Sequence, residues 1–94
     1  MVRILYTGKY QKNLDELIRE KPDINQEINK RVGWFMRNPD DTRLDRHPLT
    51  KKMGGKWAFS ITDDIRIVYE WLGKNTVRFL AIGKHRKVYF RKSS

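Results

Sequence analysis

The hydrophobic positions in the first half of the chain repeat with the period of an α-helix. In one segment they fall at Tyr10, Leu14, Leu17 and Ile18, and in the next at Ile24, Ile28, Val32, Phe35 and Met36. Spacings of three and four residues place such side chains on one side of a helix. Pro22 ends the first segment, Asp23 can cap the second, and Asn38-Pro39 ends it. The pattern predicts two short amphipathic helices that pack antiparallel across a tight connection.

Apolar and polar residues alternate in the second half of the chain, which is the period of a β-strand. Three such segments cover residues 56–62, 65–71 and 76–82, and residues 2–7 are also rich in strand-forming residues. Residues 42–55 are polar and are predicted to form a loop. The expected fold is α+β, a small twisted antiparallel sheet with two N-terminal helices on one face, in the order β-α-α-β-β-β. Because 94 residues are enough for one core, residues 1–94 are predicted to be a single domain.

The turn after the first strand of this meander decides which face each side chain joins. A three-residue loop at 62–64 pairs apolar residues with one another, as Ile61–Ile65, Phe59–Ile67 and Trp57–Tyr69. A two-residue loop would place Ile61 opposite Arg66, because a one-residue slip exchanges the two faces of a strand. We therefore predict the three-residue loop, with Arg66 on the face that the helices do not cover.

The last strand is assigned by the same alternation. Val77, Phe79 and Ala81 are predicted to face the core, and Arg78 is predicted to share the face of Arg66. The face away from the helices would then be basic and exposed to solvent.

Positive charge is concentrated in the second half of the chain. Residues 1–45 carry nine Lys and Arg against eight Asp and Glu, whereas residues 46–94 carry twelve against three, within a net charge of +10. A basic surface of this kind is typical of proteins that bind nucleic acid, although an ordinary solvated basic face has the same composition.

Missing residue types and segments disfavour several classes of protein. The chain has no cysteine, and its two histidines lie far apart in the sequence, so neither a metal nor a cofactor is expected. No apolar run has the length of a signal-peptide core or a membrane span. A cytoplasmic protein without membrane contact is expected.

Three motifs follow one another in residues 47–89. His47-Pro48-Leu49 precedes Lys52-Met53-Gly54-Gly55-Lys56-Trp57, the next strand reads Asp64-Ile65-Arg66-Ile67-Val68-Tyr69, and the last segment reads Ile82-Gly83-Lys84-His85-Arg86-Lys87-Val88-Tyr89. In this order and spacing they resemble the RelE/ParE superfamily of bacterial toxins, and the pattern extends over essentially the whole chain.

The resemblance implies a RelE-type, YafQ-like mRNA interferase of a type II toxin–antitoxin system. Such a toxin enters the A site of the ribosome and cuts the mRNA there, and a cognate antitoxin protein holds it inactive. The fold that the resemblance implies is the one that the register argument predicts.

RNA cleavage without a metal uses the ribose 2′-hydroxyl as the nucleophile, so the protein must hold the phosphate, move two protons and stabilise charge. Arg66 is the candidate phosphate clamp, His85 the candidate acid or base, and His47 a second proton-transfer group. Tyr89 either stacks on a base, orients the phosphate or packs on the sheet edge, and Asp64 either orients a histidine or completes a turn. Further RNA contacts are predicted for Lys51, Lys52, Lys56, Arg78, Lys84, Arg86 and Lys87.

The identity of the base stays open at the level of the sequence. Some RelE-type toxins rely on lysine and arginine without a catalytic histidine, whereas YafQ-like toxins use several histidines. With two histidines and many lysines, this chain lies between the two patterns.

Two other functions fit the same fold. A ParE-like toxin inhibits DNA gyrase by protein contact and does not need the His85, Arg66 and Tyr89 set. A non-catalytic RNA-binding domain would bind RNA in a salt-dependent way without cutting it.

Overall fold

A computed structural model describes residues 1–49 and 54–84 of the protein. The strands are β1 (Arg3–Tyr6), β2 (His47–Pro48), β3 (Trp57–Ser60), β4 (Ile65–Trp71) and β5 (Thr76–Lys84). The helices are α1 (Gly8–Glu20) and α2 (Ile24–Arg37), and a 3₁₀ turn follows at Thr42–Leu44. The α+β class, the two N-terminal helices and the three-stranded meander are confirmed. Strand β2 lies within the predicted loop 42–55 and was not predicted, because two residues are too few to show a recognisable alternation.

The strands form one sheet in the order β1-β5-β4-β3-β2. The three strands β3 to β5 pair antiparallel as predicted, and β2 adds a short antiparallel pairing to β3. The prediction of a wholly antiparallel sheet is wrong for β1, which pairs with β5 in parallel, from Arg3 opposite Thr76 to Tyr6 opposite Phe79. The sheet is therefore mixed. The long connection that carries both helices brings the chain back alongside β1 in the same direction, as a parallel pair requires.

Thr7 joins the first helix to the sheet. Its Oγ1 accepts the N–H of Tyr10 at 3.1 Å as the N-cap of α1 and donates to the carbonyl of Phe79 at 3.0 Å. Asp23 stands at the N-cap position of α2 but makes no side-chain cap bond, so the predicted capping role is wrong. The first amides of α2, from Ile24 and Asn25, instead donate to the carbonyls of Lys21 and Pro22.

The core lies between the two helices and one face of the sheet. Phe35 of α2 is at its centre, stacked on Phe59 with ring centroids 4.7 Å apart and in edge contact with Tyr69 at 4.9 Å. All three side chains are fully buried, as is Phe79. Full burial of such a side chain contributes about 1.5–3 kcal/mol, so these rings are a large part of the stabilisation of the core.

The predicted register of β3 and β4 is confirmed. Trp57 lies opposite Tyr69 and Phe59 opposite Ile67, and the amide of Ile61 donates to the carbonyl of Ile65 at 2.8 Å. The Oγ1 of Thr62 accepts the amides of residues 64 and 65 and closes the three-residue turn.

Strand β5 contains a β-bulge that the alternation did not predict. Val68 pairs with Ala81 but Tyr69 pairs with Phe79, which leaves Leu80 as the extra residue. A bulge exchanges the faces of the residues beyond it. Val77 and Phe79 face the core as predicted, but the prediction for Ala81 is wrong, since Ile82 lies in the main core and Ala81 on the opposite face.

No helix in residues 1–49 or 54–84 is long and apolar enough to cross a membrane.

Candidate active site

The sheet face away from the helices, called the distal face below, carries the candidate site. By strand register it is formed by His47, Ala58, Ser60, Arg66, Val68, Glu70, Arg78, Ala81 and Gly83. The prediction that this face is exposed to solvent is wrong for its centre, because Ala58, Val68 and Ala81 are at most 3% exposed. Leu49 and Leu80 pack against Val68 and Ala81 in a second, smaller apolar cluster. The polar side chains thus surround a floor of small and apolar residues.

Arg66 is half-buried on this face and is tethered by one nitrogen. Its Nη1 donates to the carbonyls of Thr62 and Asp63 at 2.9 and 2.8 Å, so the β3–β4 turn holds the guanidinium. Its Nε is shielded from solvent and has no acceptor among the described residues. Arg66 makes no ion pair with a carboxylate among the described residues. A shielded guanidinium donor without an acceptor is costly, and an oxyanion at the Nε–Nη2 edge would satisfy it with two parallel hydrogen bonds.

The cross-strand neighbours of Arg66 are small residues. Ser60 lies opposite on β3 and Gly83 opposite on β5, and neither has a large side chain. The strand neighbours on either side of the guanidinium are therefore small, and both are buried.

His47 lies on the distal face two strands away from Arg66. It is half-buried, pairs with Ala58 across β2 and β3, and its Nδ1 is 3.1 Å from the carbonyl oxygen of Asp45. Two strand spacings and a two-residue offset along β3 separate its Cα from that of Arg66 by about 12 Å. Side chains that point to one side from that separation can flank a phosphodiester.

The segment before His47 is held by contacts on the other side of the sheet. Arg46 pairs with Asp40, with Nη2 2.7 Å from Oδ1, and its guanidinium lies 4.6 Å from the Trp57 ring. Leu44 is fully buried in the core. Tyr69 lies opposite Trp57 on the neighbouring strand. Burial raises the pKa of its phenol to about 12, although nearby Arg46 acts to lower that pKa.

A second set of contacts fastens the 3₁₀ turn to α2. The Arg43 guanidinium lies 3.7 Å from the Trp34 ring, and Arg31 donates to the Arg43 carbonyl at 2.9 Å. Arg43 also pairs with Asp41 through two nitrogens, at 3.0 and 2.7 Å. These hydrogen bonds from Arg43 lower the pKa of the Asp41 carboxyl to about 2. Within the predicted loop, the 3₁₀ turn at Thr42–Leu44 is therefore fixed to α2 and supports the segment that leads to His47.

Lys84 and Asp64 lie towards the helices rather than beside Arg66. Lys84 pairs with Ile65 and, together with Asp64, lines a cleft of about 340 Å³ against Glu16 and Glu20 of α1. The bulge in β5 places Lys84 on this side. Asp64 is exposed in the β3–β4 turn, where its amide is bonded to Thr62.

Arg78 lies on the distal face but is paired. Its Nη2 and Nε donate to one Glu70 oxygen at 2.6 and 2.9 Å. Its strand partner Glu70 lies four residues from Arg66 along β4. The Cα atoms of Glu70 and Arg66 are therefore about 13 Å apart. Lys56 directly precedes β3, has the parity of Ala58 and is half-buried.

The remaining candidates, His85, Tyr89, Lys51, Lys52, Arg86 and Lys87, lie outside the described residues, and their roles stay predictions. Within the described ranges, no group of three or more histidine, cysteine, aspartate or glutamate side chains is placed to hold a metal ion.

Sequence reasoning assigned no role to Asp45, Arg46, Arg43 or Trp34. Their importance comes from contacts with His47 or with the segment before it. One signal was available for Asp45, because aspartate is among the few residues that adopt left-handed backbone conformations readily.

No protein-family model matches the chain, and no curated protein does. Solved structures match over nearly the full length. A copper-bound mutant toxin from Helicobacter pylori has a TM-score of 0.79 and 21% identity, covering 95% of this chain and 100% of the other. YafQ from E. coli has a TM-score of 0.78 and 18% identity, over 96% of this chain and 100% of YafQ. A YoeB/ParE toxin from Agrobacterium tumefaciens has a TM-score of 0.75 and 20% identity, over 90% of this chain and 100% of that toxin.

E. coli YafQ is also matched in the DinJ–YafQ toxin–antitoxin complex, with a TM-score of 0.72 and 21% identity. At these identities the likeness concerns the fold. The resemblance predicted from residues 47–89 is confirmed at that level: the chain has the fold of the RelE/YafQ-like toxins.

Proposed function

We propose that this protein is the toxin of a type II toxin–antitoxin system and that it acts as a ribosome-dependent, metal-independent mRNA endonuclease. The observation that carries the proposal is the state of Arg66. Its guanidinium is half-buried, tethered through Nη1, without a carboxylate partner among the described residues, and on the same sheet face as His47. An arginine that only stabilised the fold would be expected to use its second edge as well.

The proposed reaction uses the nucleophile of the RNA itself. The 2′-oxygen attacks the adjacent phosphorus, the bond to the 5′-oxygen breaks, and the products are a 2′,3′-cyclic phosphate and a 5′-hydroxyl. Arg66 binds the phosphate oxygens and stabilises the added charge of the transition state. Two groups must move protons, one from the 2′-hydroxyl and one to the 5′-oxygen, and His47 and His85 are the candidates.

Lys56 and the basic residues at 51, 52, 86 and 87 are proposed as contacts to RNA or rRNA phosphates, whereas Lys84, on the helix side of the sheet, is not. Such contacts hold a strand on a surface without reading its sequence. Tyr89 is proposed to stack on a base or to orient the phosphate.

The proposed partners are mRNA in the ribosomal A site, the ribosome and a cognate antitoxin. The antitoxin is proposed because E. coli YafQ, which shares the fold, is found in a toxin–antitoxin complex with DinJ. A protein with this function would work in the cytoplasm, where translation takes place.

The test is a reconstituted translation reaction in which mRNA is examined by primer extension. We expect the wild-type chain to cut mRNA within codons on ribosomes, and Arg66→Ala to reduce the cleavage rate by about 10²–10³-fold. Intact mRNA together with inhibited gyrase supercoiling would instead identify a ParE-like activity. Salt-sensitive RNA binding without cleavage would identify a binding domain, and either result would overturn the proposal.

A further inference from the structure

We propose that Asp45 is a positioning residue for His47. Its backbone carbonyl holds the imidazole in the tautomer with the proton on Nδ1, which makes Nε2 the nitrogen that accepts the 2′-hydroxyl proton. This assignment of the base rests on the proposed function, whereas the tautomer itself does not.

The hydrogen bond determines where the proton lies. Nδ1 of His47 is 3.1 Å from the carbonyl oxygen of Asp45. A carbonyl oxygen can only accept a hydrogen bond, so Nδ1 is the donor. A neutral imidazole carries one proton, so its Nε2 then bears the lone pair. A base that begins the reaction in this form needs no tautomer change before it accepts a proton.

The backbone at Asp45 aims that carbonyl. Asp45 has φ 51° and ψ 47° and is the only residue other than glycine with positive φ in the described chain. Its amide donates to the carbonyl of Thr42 at 3.2 Å, which closes the 3₁₀ turn, while its own carbonyl meets the ring two residues later. The left-handed conformation thus joins the end of the turn to the orientation of His47.

Anchors on both sides keep the 45–46 peptide in place. Leu44 is fully buried before it, and Arg46 is held after it by Asp40 and the Trp57 ring. Because Arg46 is held on the helix side, the alternation of β2 directs His47 to the distal face. The carbonyl and the imidazole therefore meet within a segment that has little freedom to move.

The proton balance of the proposed step is complete. The 2′-hydroxyl proton passes to Nε2 of His47 as the bond from the 2′-oxygen to phosphorus forms. The bond from phosphorus to the 5′-oxygen breaks, and that oxygen takes a proton from a second group, for which His85 is the candidate. His47 leaves the step as an imidazolium and later returns its proton to water.

The tautomer can be measured without any activity. The chain has two histidines, so ¹⁵N NMR of the full-length protein and of His85→Gln assigns both rings. We expect the His47 Nδ1 to be protonated in wild type, in Asp45→Asn and in Asp45→Gly, since asparagine and glycine adopt positive φ readily. Asp45→Val, whose branched side chain opposes positive φ, should shift His47 towards the other tautomer or a mixture. If the valine variant does not fold, Asp45→Ala takes its place.

Two NMR results would overturn the tautomer assignment. One is a wild-type His47 with its proton on Nε2. The other is a loss of the Nδ1–H form in Asp45→Gly, because that result would mean that the carboxylate, rather than the carbonyl, sets the tautomer.

Cleavage kinetics then test the role of His47 as the base. We expect His47→Gln to lose about 10²–10⁴-fold in rate and to lose the acidic limb of the pH profile. Asp45→Val should lose about 10-fold or more, because small misplacements of a reacting group are costly. An RNA with sulfur in place of the scissile 5′-oxygen has a leaving group that needs no proton. It should rescue an acid-deficient variant but not His47→Gln.

Rescue of His47→Gln by the sulfur substrate would identify His47 as the acid and overturn its assignment as base. If wild type shows the expected tautomer but cuts no RNA, the proposed function fails while the role of Asp45 in holding the ring stands. If it cuts RNA but shows the other tautomer, the proposed function stands and the inference fails.

Discussion

Replacing Arg66 with alanine should separate activity from stability, and the contacts of Arg66 show why. The substitution removes two hydrogen bonds from Nη1 to the carbonyls of Thr62 and Asp63. Each such bond contributes about 0.5–1.5 kcal/mol net. The substitution also removes the shielded Nε donor, which has no acceptor in residues 1–49 and 54–84, and this returns about 1–3 kcal/mol. These effects oppose each other, so the free energy of unfolding should change by no more than about 2 kcal/mol in either direction.

The rate should respond very differently. Losing one donor aimed at the transition-state charge costs about 10²–10³-fold, or roughly 3–4 kcal/mol of barrier. Arg66→Lys keeps the charge but cannot both bridge the turn carbonyls and give two parallel bonds to phosphate, so it should lose at least about 10-fold. Arg19→Ala is the matched control, because it removes an equal charge from an exposed position on α1.

Urea unfolding and single-turnover mRNA cleavage on ribosomes measure the two quantities. The reasoning fails if Arg66→Ala lowers the free energy of unfolding by more than about 2 kcal/mol, since the lost rate would then reflect the fold. It also fails if Arg66→Ala and Arg19→Ala slow cleavage equally, since that result would mean that only overall charge matters.

Three further predictions concern the bulge, the pH dependence of stability and the paired arginine. Ile82→Ala should lower the free energy of unfolding by about 2–5 kcal/mol in urea, because Ile82 is 2% exposed in the main core; a loss below about 1 kcal/mol would argue against the bulge. The lowered pKa of Asp41, held down by Arg43, should contribute stability above pH about 4 that is lost as the pH falls towards about 2. Asp41→Asn should remove that part of the pH dependence of unfolding, and parallel curves for variant and wild type would contradict it. Arg78→Ala should change the slope of log K for RNA binding against log salt concentration by clearly less than about one unit, because Glu70 already neutralises this arginine. A change of a full unit would show that the Arg78–Glu70 ion pair opens when RNA binds.

Local pattern was sufficient for the helices and for the register of β3 and β4. Helical periodicity places Phe35 and Ile28 on the buried side of α2, and both are buried. The three-residue turn was predictable because the two possible registers bury very different side chains. One pairs Phe59 with Ile67, and the other would bury Arg66. When the alternatives differ by the burial of a charge, the sequence determines the answer.

The same reasoning failed where the alternatives were nearly equal in local energy. Beyond Leu80, both Ala81 and Ile82 are apolar, so alternation could not reveal the bulge. The parallel pairing of β1 with β5 depends on how a long connection closes, which no local pattern records.

The candidate site was also predictable from the sequence only in part. The basic second half of the chain, and the face to which Arg66 belongs, followed from the sequence, because charge is a matter of composition and strand parity is local. The support of His47 was decided by the tertiary structure. It depends on Arg46 meeting Asp40 and Trp57, and on an aspartate carbonyl turned by left-handed backbone. Such contacts join residues from separate elements, and they exist only after the hydrophobic core has brought those elements together.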